Sequence, residues 1–254
     1  MQNALSIEAI KGCLGEMPVY LYREIDSTNN EAKRRIAAGE EGAALIVAEG
    51  QTAGRGRQGK SFYSPAGTGI YMTLSLPVEL AFADAVAATT AAAVAVFSAI
   101  RAETGLITEI KWVNDLYYGG KKISGILAEA ITDPATATVR HVIIGVGLNV
   151  STEAFPEELQ GIAASLPIGE LDRNRMIGAI ARSLMDTLHA DRAETMALYR
   201  RHSMVLGKEI TYLENGRSVA ACAVDIDENG GLIVEHEDGS RATLQSGEIS
   251  LRLR

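Results

Sequence analysis

The chain has 254 residues, 47% hydrophobic and 22% charged, which is long and apolar enough for a sizeable core and typical of soluble globular proteins. Its formal net charge of −8 argues against a chain that coats nucleic acid, so any anion site must be local. Cys13 and Cys222 are the only cysteines and have no metal-ligand spacing, which argues against a disulfide framework or a fixed protein metal site; with no signal pattern and no membrane span, the chain reads as cytoplasmic.

In chain order, residues 19–25 have strand composition, and 26–39 read as a helix, with Thr28 and Glu31 at capping-box spacing and Gly39 as the stop. Residues 43–50 form a short apolar run ending in glycine, which suits a buried strand that delivers the chain into a loop. A further strand is predicted over 69–76, where Tyr71, Thr73 and Ser75 alternate with Ile70, Met72, Leu74 and Leu76. The alanine-rich stretch from Asp84 to Arg101 has an acidic cap and a cationic end, and reads as a buried helix on a sheet. Three β-rich runs follow, over 108–118, 121–131 and 138–150, with turns at Gly119-Gly120 and around Asp133 and Pro134; they suggest an antiparallel meander or a mixed sheet. Asp172 to Ala190 is an amphipathic helix capped by Asp172, and a second helix covers Asp191 to His202. Beyond Gly207, short strands alternate with turns at Asn215-Gly216, Asn229-Gly230-Gly231 and Asp238-Gly239, the texture of a small all-β barrel. The expected class is therefore α+β, with a mixed or antiparallel sheet domain flanked by helices over residues 1–204 and a small barrel over 205–254.

The segment "AEGQTAGRGRQGKSFYSPAG" places Gly54, Gly56 and Gly59 in G-x-G-x-x-G spacing. A dinucleotide fold needs a helix opening on those glycines and an acid about twenty residues on. Here a strand follows, and the chain has no Asp or Glu from Gly50 to Val78. That acid-free window holds Arg55, Arg57 and Lys60 on one glycine-rich loop, an arrangement suited to an anion. In "IKWVNDLYYGGKKISGILAE", Lys111 emerges from an apolar strand beside Trp112, Asn114 and Asp115, and "GVGLNV" ends a strand where backbone can approach a ligand closely.

Together, "DSTN", the glycine-rich loop, "KWVNDLYYGGKKISGILAE" and "GVGLNV" resemble the biotin protein ligases, from about Tyr20 to the C-terminus. Two positions depart from that family, which usually has proline where Val113 stands and an aromatic residue, often Trp, where Phe62 stands. Phe62 keeps a π-face for stacking. Bifunctional members carry an N-terminal DNA-binding domain; fewer than twenty residues precede the first strand here, so the monofunctional type is expected, with no nucleic-acid partner.

The resemblance implies an SH3-like C-terminal barrel and two half-reactions, formation of biotinyl-adenylate from biotin and ATP, then transfer to a lysine of a biotin carboxyl carrier protein. Lys111 and Arg57 are the implied catalytic residues, with Mg²⁺ accompanying ATP. Ser27, Thr28, Asn29, Gln51, Arg55 and Gly56 are implied around biotin, together with Arg57 and Lys111. Phe62 is expected to pack on adenine and Asn149 to hydrogen-bond the nucleotide. The glycines are expected to let the loop fold over the adenylate as a lid. A lipoate or octanoyl transferase of the same fold is the nearest alternative, but the polar "DSTN" and Gln51 set suits a ureido ring better than an aliphatic chain. A non-catalytic biotin sensor is the other. An exposed edge of the β-rich sheet would support a homodimer.

Overall fold

The computed structural model of the chain describes residues 4–12, 14–80, 82–132, 138–214, 216–245 and 249–251. A one-turn helix, α1 (Ile7–Lys11), is started by the Ser6 hydroxyl, which accepts from the Ala9 N–H. It is too short for its periodicity to register in the sequence.

The large sheet is built from β1 (Val19–Tyr22), β2 (Ala44–Ala48), β3 (Gly69–Leu80), β4 (Glu109–Lys111), β5 (Asp115–Tyr118), β6 (Lys121–Thr132) and β7 (Val139–Asn149). Its order is β1-β2-β3-β7-β6-β5-β4. β1 and β2 run parallel, joined through helix α2 (Thr28–Ala37), and every other neighbouring pair is antiparallel, so the sheet is mixed. The run over 108–118 is two strands, β4 and β5, because Trp112, Val113 and Asn114 turn the chain back on itself. Gly119 and Gly120 both have positive φ, 57° and 75°, which a two-residue turn of the primed type requires.

Strand alternation assigns the two faces of this sheet their jobs. On one face Ile70, Met72 and Leu74 of β3, Leu45 and Val47 of β2, and Ile144 and Val146 of β7 join the main core. Four helices contribute to that core: α1 through Ile10, α3 (Phe82–Thr104), α4 (Arg173–His189) and α5 (Arg192–Arg201). The alanines at 92, 93, 95 and 99 are all buried, and their small side chains let α3 lie close against its neighbours. Among the described residues no helix is long and apolar enough to cross a membrane. Asp172 caps α4 by accepting from the Asn174 and Arg175 N–H groups, and Asp191 caps α5 through the Glu194 N–H.

The opposite face carries Tyr71, Thr73 and Ser75 on β3, Gly145 and Gly147 on β7, and Gly125, Leu127 and Glu129 on β6, in register with one another. Helix α2 covers one end of it, where Ala32 packs with Ala44, Ile46 and Ile143. The glycine-rich loop between β2 and β3 covers the other.

The exit of β2 is fixed by a buried ion pair. Arg173, 2% exposed, donates through Nη1 to Glu49 Oε2 (2.8 Å) and to Gly69 O (3.2 Å), and the other Glu49 oxygen accepts the Leu5 N–H. Asn174 ties down the same N-terminal segment, accepting from the Ser6 N–H and donating to Ala4 O.

A second sheet, antiparallel, holds β8 (Glu209–Glu214), β9 (Arg217–Ile226), β10 (Leu232–Glu235), β11 (Arg241–Leu244) and β12 (Ile249–Leu251), in the order β11-β10-β9-β8-β12. Its turn at 227–231 docks on the first unit. The Trp112 indole N–H donates to Gly230 O (2.8 Å), and Arg192 donates to Glu228 O and to Asn229 Oδ1.

The alanine-rich helix begins at Phe82, two residues before Asp84, whose side chain lies outside what is described. Cys13, Asn215 and the turn at Asp133 and Pro134 also lie outside the described residues, whereas Cys222 is a free thiol.

Candidate active site

The three glycines of G-x-G-x-x-G serve a miniature hairpin. Gly56 N–H donates to Lys60 O (2.7 Å), Phe62 N–H donates to Gly54 O (2.9 Å), and Arg55 bridges Ser61. A Cβ at Gly54 would collide with Phe62 O and sit 2.7 Å from Ser64 Oγ; one at Gly56 would press on Lys60 O at 3.2 Å. Gly59 has φ 77° and supplies the left-handed turn, with Gln58 beside it at φ 54°. The glycines thus allow close backbone packing and one reversal, and the loop's cations project from a folded scaffold.

Helix α2 meets this loop at its N-terminus. The expected capping box does not form: the helix starts at Thr28, Ser27 holds the cap position without a side-chain cap bond, and the Glu31 carboxylate accepts instead from Tyr22 Oη and Arg34 Nε. Gln51 takes over the capping task, because its Oε1 accepts both the Thr28 N–H (2.8 Å) and the Thr28 hydroxyl (3.2 Å). One of the orphan donors of the helix is thereby satisfied from the loop. The Gln51 amide NH₂ donates to Ser64 Oγ, and that hydroxyl donates to Phe62 O. On the sheet side, the Thr73 hydroxyl lies 2.7 Å from Asn29 Oδ1 and 2.8 Å from Thr28 Oγ1.

These groups surround a small pocket of about 20 Å³ lined by Ser27, Thr28, Asn29, Gln51, Arg55, Phe62, Gly125, Leu127, Gly145 and Gly147. Gly145 is required there because a Cβ would collide with Asn29 Oδ1. The rim carries charge: Glu129 accepts from Asn29 Nδ2 (2.9 Å), Arg55 Nη1 (2.9 Å) and Lys33 Nζ (2.7 Å). Burial alone would raise the Glu129 carboxyl, but the hydrogen bonds from Asn29 and Lys33 and the charges of Lys33 and Arg55 outweigh it and hold the group below the usual glutamate value.

Adjoining it is a cavity of about 420 Å³. Among the described residues Arg55, Arg57, Lys60, Lys111 and Lys122 line it against a single carboxylate, Asp115, which pairs with Lys122 at 2.7 Å. Arg57 reaches across to Asn114 Oδ1 (3.4 Å), and Asn114 is itself held by donating to Ile126 O. The Lys111 ammonium sits 5.6 Å from the centre of the Tyr117 ring, a cation–π distance. Burial, with a contribution from Asp115, pushes the Tyr117 phenol up to about 12, so it stays a neutral donor at physiological pH. The Trp112–Val113 peptide is cis, and Tyr199, fully buried, donates to Val113 O. The second sheet contributes Ile249 to the wall.

Phe62 lines both spaces. Its ring lies over Gly125 and Gly147, edge-on to Tyr71 with centroids 6.5 Å apart; a Cβ at Gly147 would sit 2.5 Å from the Phe62 ring.

Ser27, Thr28, Asn29, Gln51 and Arg55 therefore gather at the small pocket, and Arg55, Gly56, Arg57, Phe62 and Lys111 at the large one. Asn149 lines neither. It is buried, its Nδ2 donates to Ala164 O (3.2 Å), and its carbonyl accepts the Leu166 N–H. It thereby ties 164–166 beside Lys122, where the N–H of Lys122 donates to Ile162 O. Sequence reading did not single out Thr73, Ser64 or Glu129. The polar alternation along β3 was the one signal that could have marked Thr73.

A hydrogen-bonding pocket opening beside a cation-lined cavity has the chemistry that suits a class of protein binding a small polar-headed ligand together with a polyanion. Comparison with known proteins makes that class specific: the chain belongs to the biotin/lipoate A/B protein ligase family, whose model matches residues 21–149, while residues 205–252 match the biotin protein ligase C-terminal domain. It is 32% identical over 242 residues to the bifunctional ligase/repressor BirA of Bacillus spizizenii, covering 91% of this chain and 73% of that one. It is 34% identical over 246 residues to a biotin–[acetyl-CoA-carboxylase] ligase of Mycobacterium tuberculosis, covering 88% and 85%. The solved structure of the Aquifex aeolicus biotin protein ligase in complex with biotin and ATP superposes with a TM-score of 0.72 at 27% identity, covering 92% of this chain and 98% of the other.

Proposed function

We propose that this ligase activates biotin with ATP as biotinyl-5′-AMP and transfers it to a lysine of a biotin carboxyl carrier protein. The observation that carries the reading is the pairing of a pocket that gathers amides and hydroxyls with a cavity lined, among the described residues, by five cations and one carboxylate. A ureido ring needs donors and acceptors without charge, which Ser27, Thr28, Asn29 and Gln51 offer. A carboxylate attacking a triphosphate needs cations that offset two like charges as they meet.

In the first half-reaction a biotin carboxylate oxygen forms a bond to the α-phosphorus and pyrophosphate leaves. In this reading Lys111 contacts both the carboxylate and the α-phosphate, and Arg57 covers the adenylate from the loop; both line the larger cavity. In the second, the neutral amine of the carrier lysine attacks the anhydride carbonyl, AMP leaves, and the amine proton passes to solvent. Holding the mixed anhydride beneath the loop protects it from water between the two steps.

Mg²⁺ would enter bound to the nucleotide. Among the described residues no three His, Cys, Asp or Glu side chains group together, and Asp115 is engaged by Lys122. When bound it would offset phosphate charge. The small pocket holds about one water, so a bicyclic head needs the groups around it to give way, among them Phe62, whose ring rests on Gly147. Phe62 also lines the larger cavity, where its ring would stack on adenine.

Lipoate is the competing acyl group within the family. Calorimetric titration separates them: binding of biotin without lipoate is expected, and the reverse preference overturns the assignment. Biotin-dependent exchange of labelled pyrophosphate into ATP is expected in the wild type and reduced about 10²-fold or more in Lys111→Ala. Undiminished exchange in that variant removes Lys111 from the mechanism.

A further inference from the structure

We infer that Glu129 is a positioning residue that locks the biotin head pocket and the cationic loop into one unit. The inference rests on the biotin reading of the small pocket. One oxygen of the carboxylate, Oε2, accepts from Asn29 Nδ2 and from Arg55 Nη1, each at 2.9 Å. Asn29 stands on α2 and Arg55 on the glycine-rich loop, so a single atom of β6 joins the two walls of the pocket.

The carboxylate decides which way each partner points. Asn29 Nδ2 donates to Glu129 and to Leu127 O (3.2 Å), which turns its Oδ1 toward the Thr73 hydroxyl and the Gly145 backbone. With both amide protons on acceptors, the amide orientation is fixed before any ligand arrives. Arg55 is 36% exposed and takes one further partner, Asn30 Oδ1 at 3.3 Å, while Asn30 is held by Asp26. Without Glu129, Arg55 would be an exposed side chain with a single weak tether, and entropy would disperse it. The Glu129 side chain is only 19% exposed and lies on the site face of the sheet, where the register pairs it with Ile143.

Lys33 provides the control. It stands on α2 one turn beyond Asn29, binds the other oxygen, Oε1, at 2.7 Å, and does not line the pocket. If Glu129 acts by positioning, its removal and that of Lys33 have unequal effects, although both break an ion pair of the same carboxylate.

The test compares Glu129→Gln, Glu129→Asp and Lys33→Ala in the full chain by biotin calorimetry, by the KM values for biotin and ATP in pyrophosphate exchange, and by mass-mapped tryptic cleavage after Arg55 and Arg57 without ligand. Glutamine cannot accept from Asn29 and Arg55 without turning a donor toward Lys33. The biotin Kd is therefore expected to rise about tenfold or more, with a matching rise in the biotin KM and little change in that for ATP. Loop cleavage is expected to accelerate in the same variant, aspartate to recover part of the affinity, and Lys33→Ala to change the Kd less than about threefold. Equal losses for biotin and ATP, equal effects of Lys33→Ala and Glu129→Gln, or unchanged cleavage and affinity in Glu129→Gln would each overturn the proposal. Failure of the wild type to bind biotin would overturn the pocket reading instead, and the cleavage comparison would still decide whether Glu129 holds the loop.

Discussion

Gly54→Ala puts the packing argument for the loop at greatest risk. The added methyl would collide with Phe62 O and stand 2.7 Å from Ser64 Oγ and 3.1 Å from Gln51 Nε2. The first obstacle is backbone, so no rotamer change relieves it. The hairpin must open there, and the bond from Phe62 N–H to Gly54 O goes with the Gln51–Ser64–Phe62 chain. Overpacking costs about 1–3 kcal/mol and a stranded polar group about 1–3 kcal/mol, roughly 2–6 kcal/mol together. The loop can open while the two sheets stay folded, so the loss should fall on ligand binding rather than on Tm. Two kilocalories correspond to about thirtyfold in Kd, the minimum expected for biotin by calorimetry. Gly59→Ala, in the same loop, meets no atom within 4 Å and suffers only the strain of φ 77°, about 1 kcal/mol, hence a change within about fivefold. Gly54→Ala binding biotin within threefold of wild type, or Gly59→Ala being the more damaging, would refute the reasoning.

Arg173→Met should lower stability by about 3 kcal/mol, the low end for breaking a buried pair because Glu49 keeps 22% exposure, and so lower Tm by about 6–12 °C; an unchanged Tm would deny the pair its structural role. Arg57→Gly should release the adenylate and label bystander lysines when biotin, ATP and an unrelated protein are incubated together; carrier-only labelling would contradict the covering role of Arg57. The Glu129 carboxyl is held below its ordinary value of 4.5, so its contribution is complete above that value and disappears as pH falls through the lowered one. Biotin affinity should fall in that acid window, and the Glu129-dependent part of the fall should be missing from Glu129→Gln.

Local chemistry was legible in the sequence where it acts locally. Asp172 caps its helix as its position implies, Gly119-Gly120 makes its hairpin, and the polar side of β3 faces the site, while Asp191, read as the start of its helix, caps it instead. Parallel pairing of β1 with β2 was not legible, since it depends on a partner strand beyond α2, nor was the splitting of 108–118 at Trp112, because the reversal through Trp112, Val113 and Asn114 holds no glycine or proline to mark it. Thr28 shows the limit well. Its spacing to Glu31 satisfies the capping-box pattern, yet Gln51, 23 residues on, takes the Thr28 N–H, and Tyr22 and Arg34 take Glu31. Glu129 left no local trace because its significance lies in joining Asn29, 100 residues away, to Arg55, 74 residues away. Asn149 follows two site glycines on the same strand face, and the bond from its amide to Ala164 was not legible, because that partner lies on a separate loop.

The central claim, acyl transfer through an enzyme-held adenylate, is tested most directly by incubating the protein with biotin, ATP, Mg²⁺ and a biotin carboxyl carrier domain and weighing the carrier. The account predicts one biotinyl group on a single carrier lysine, dependent on ATP and lost in Lys111→Ala. A carrier of unchanged mass, or one modified equally well without ATP, would contradict it.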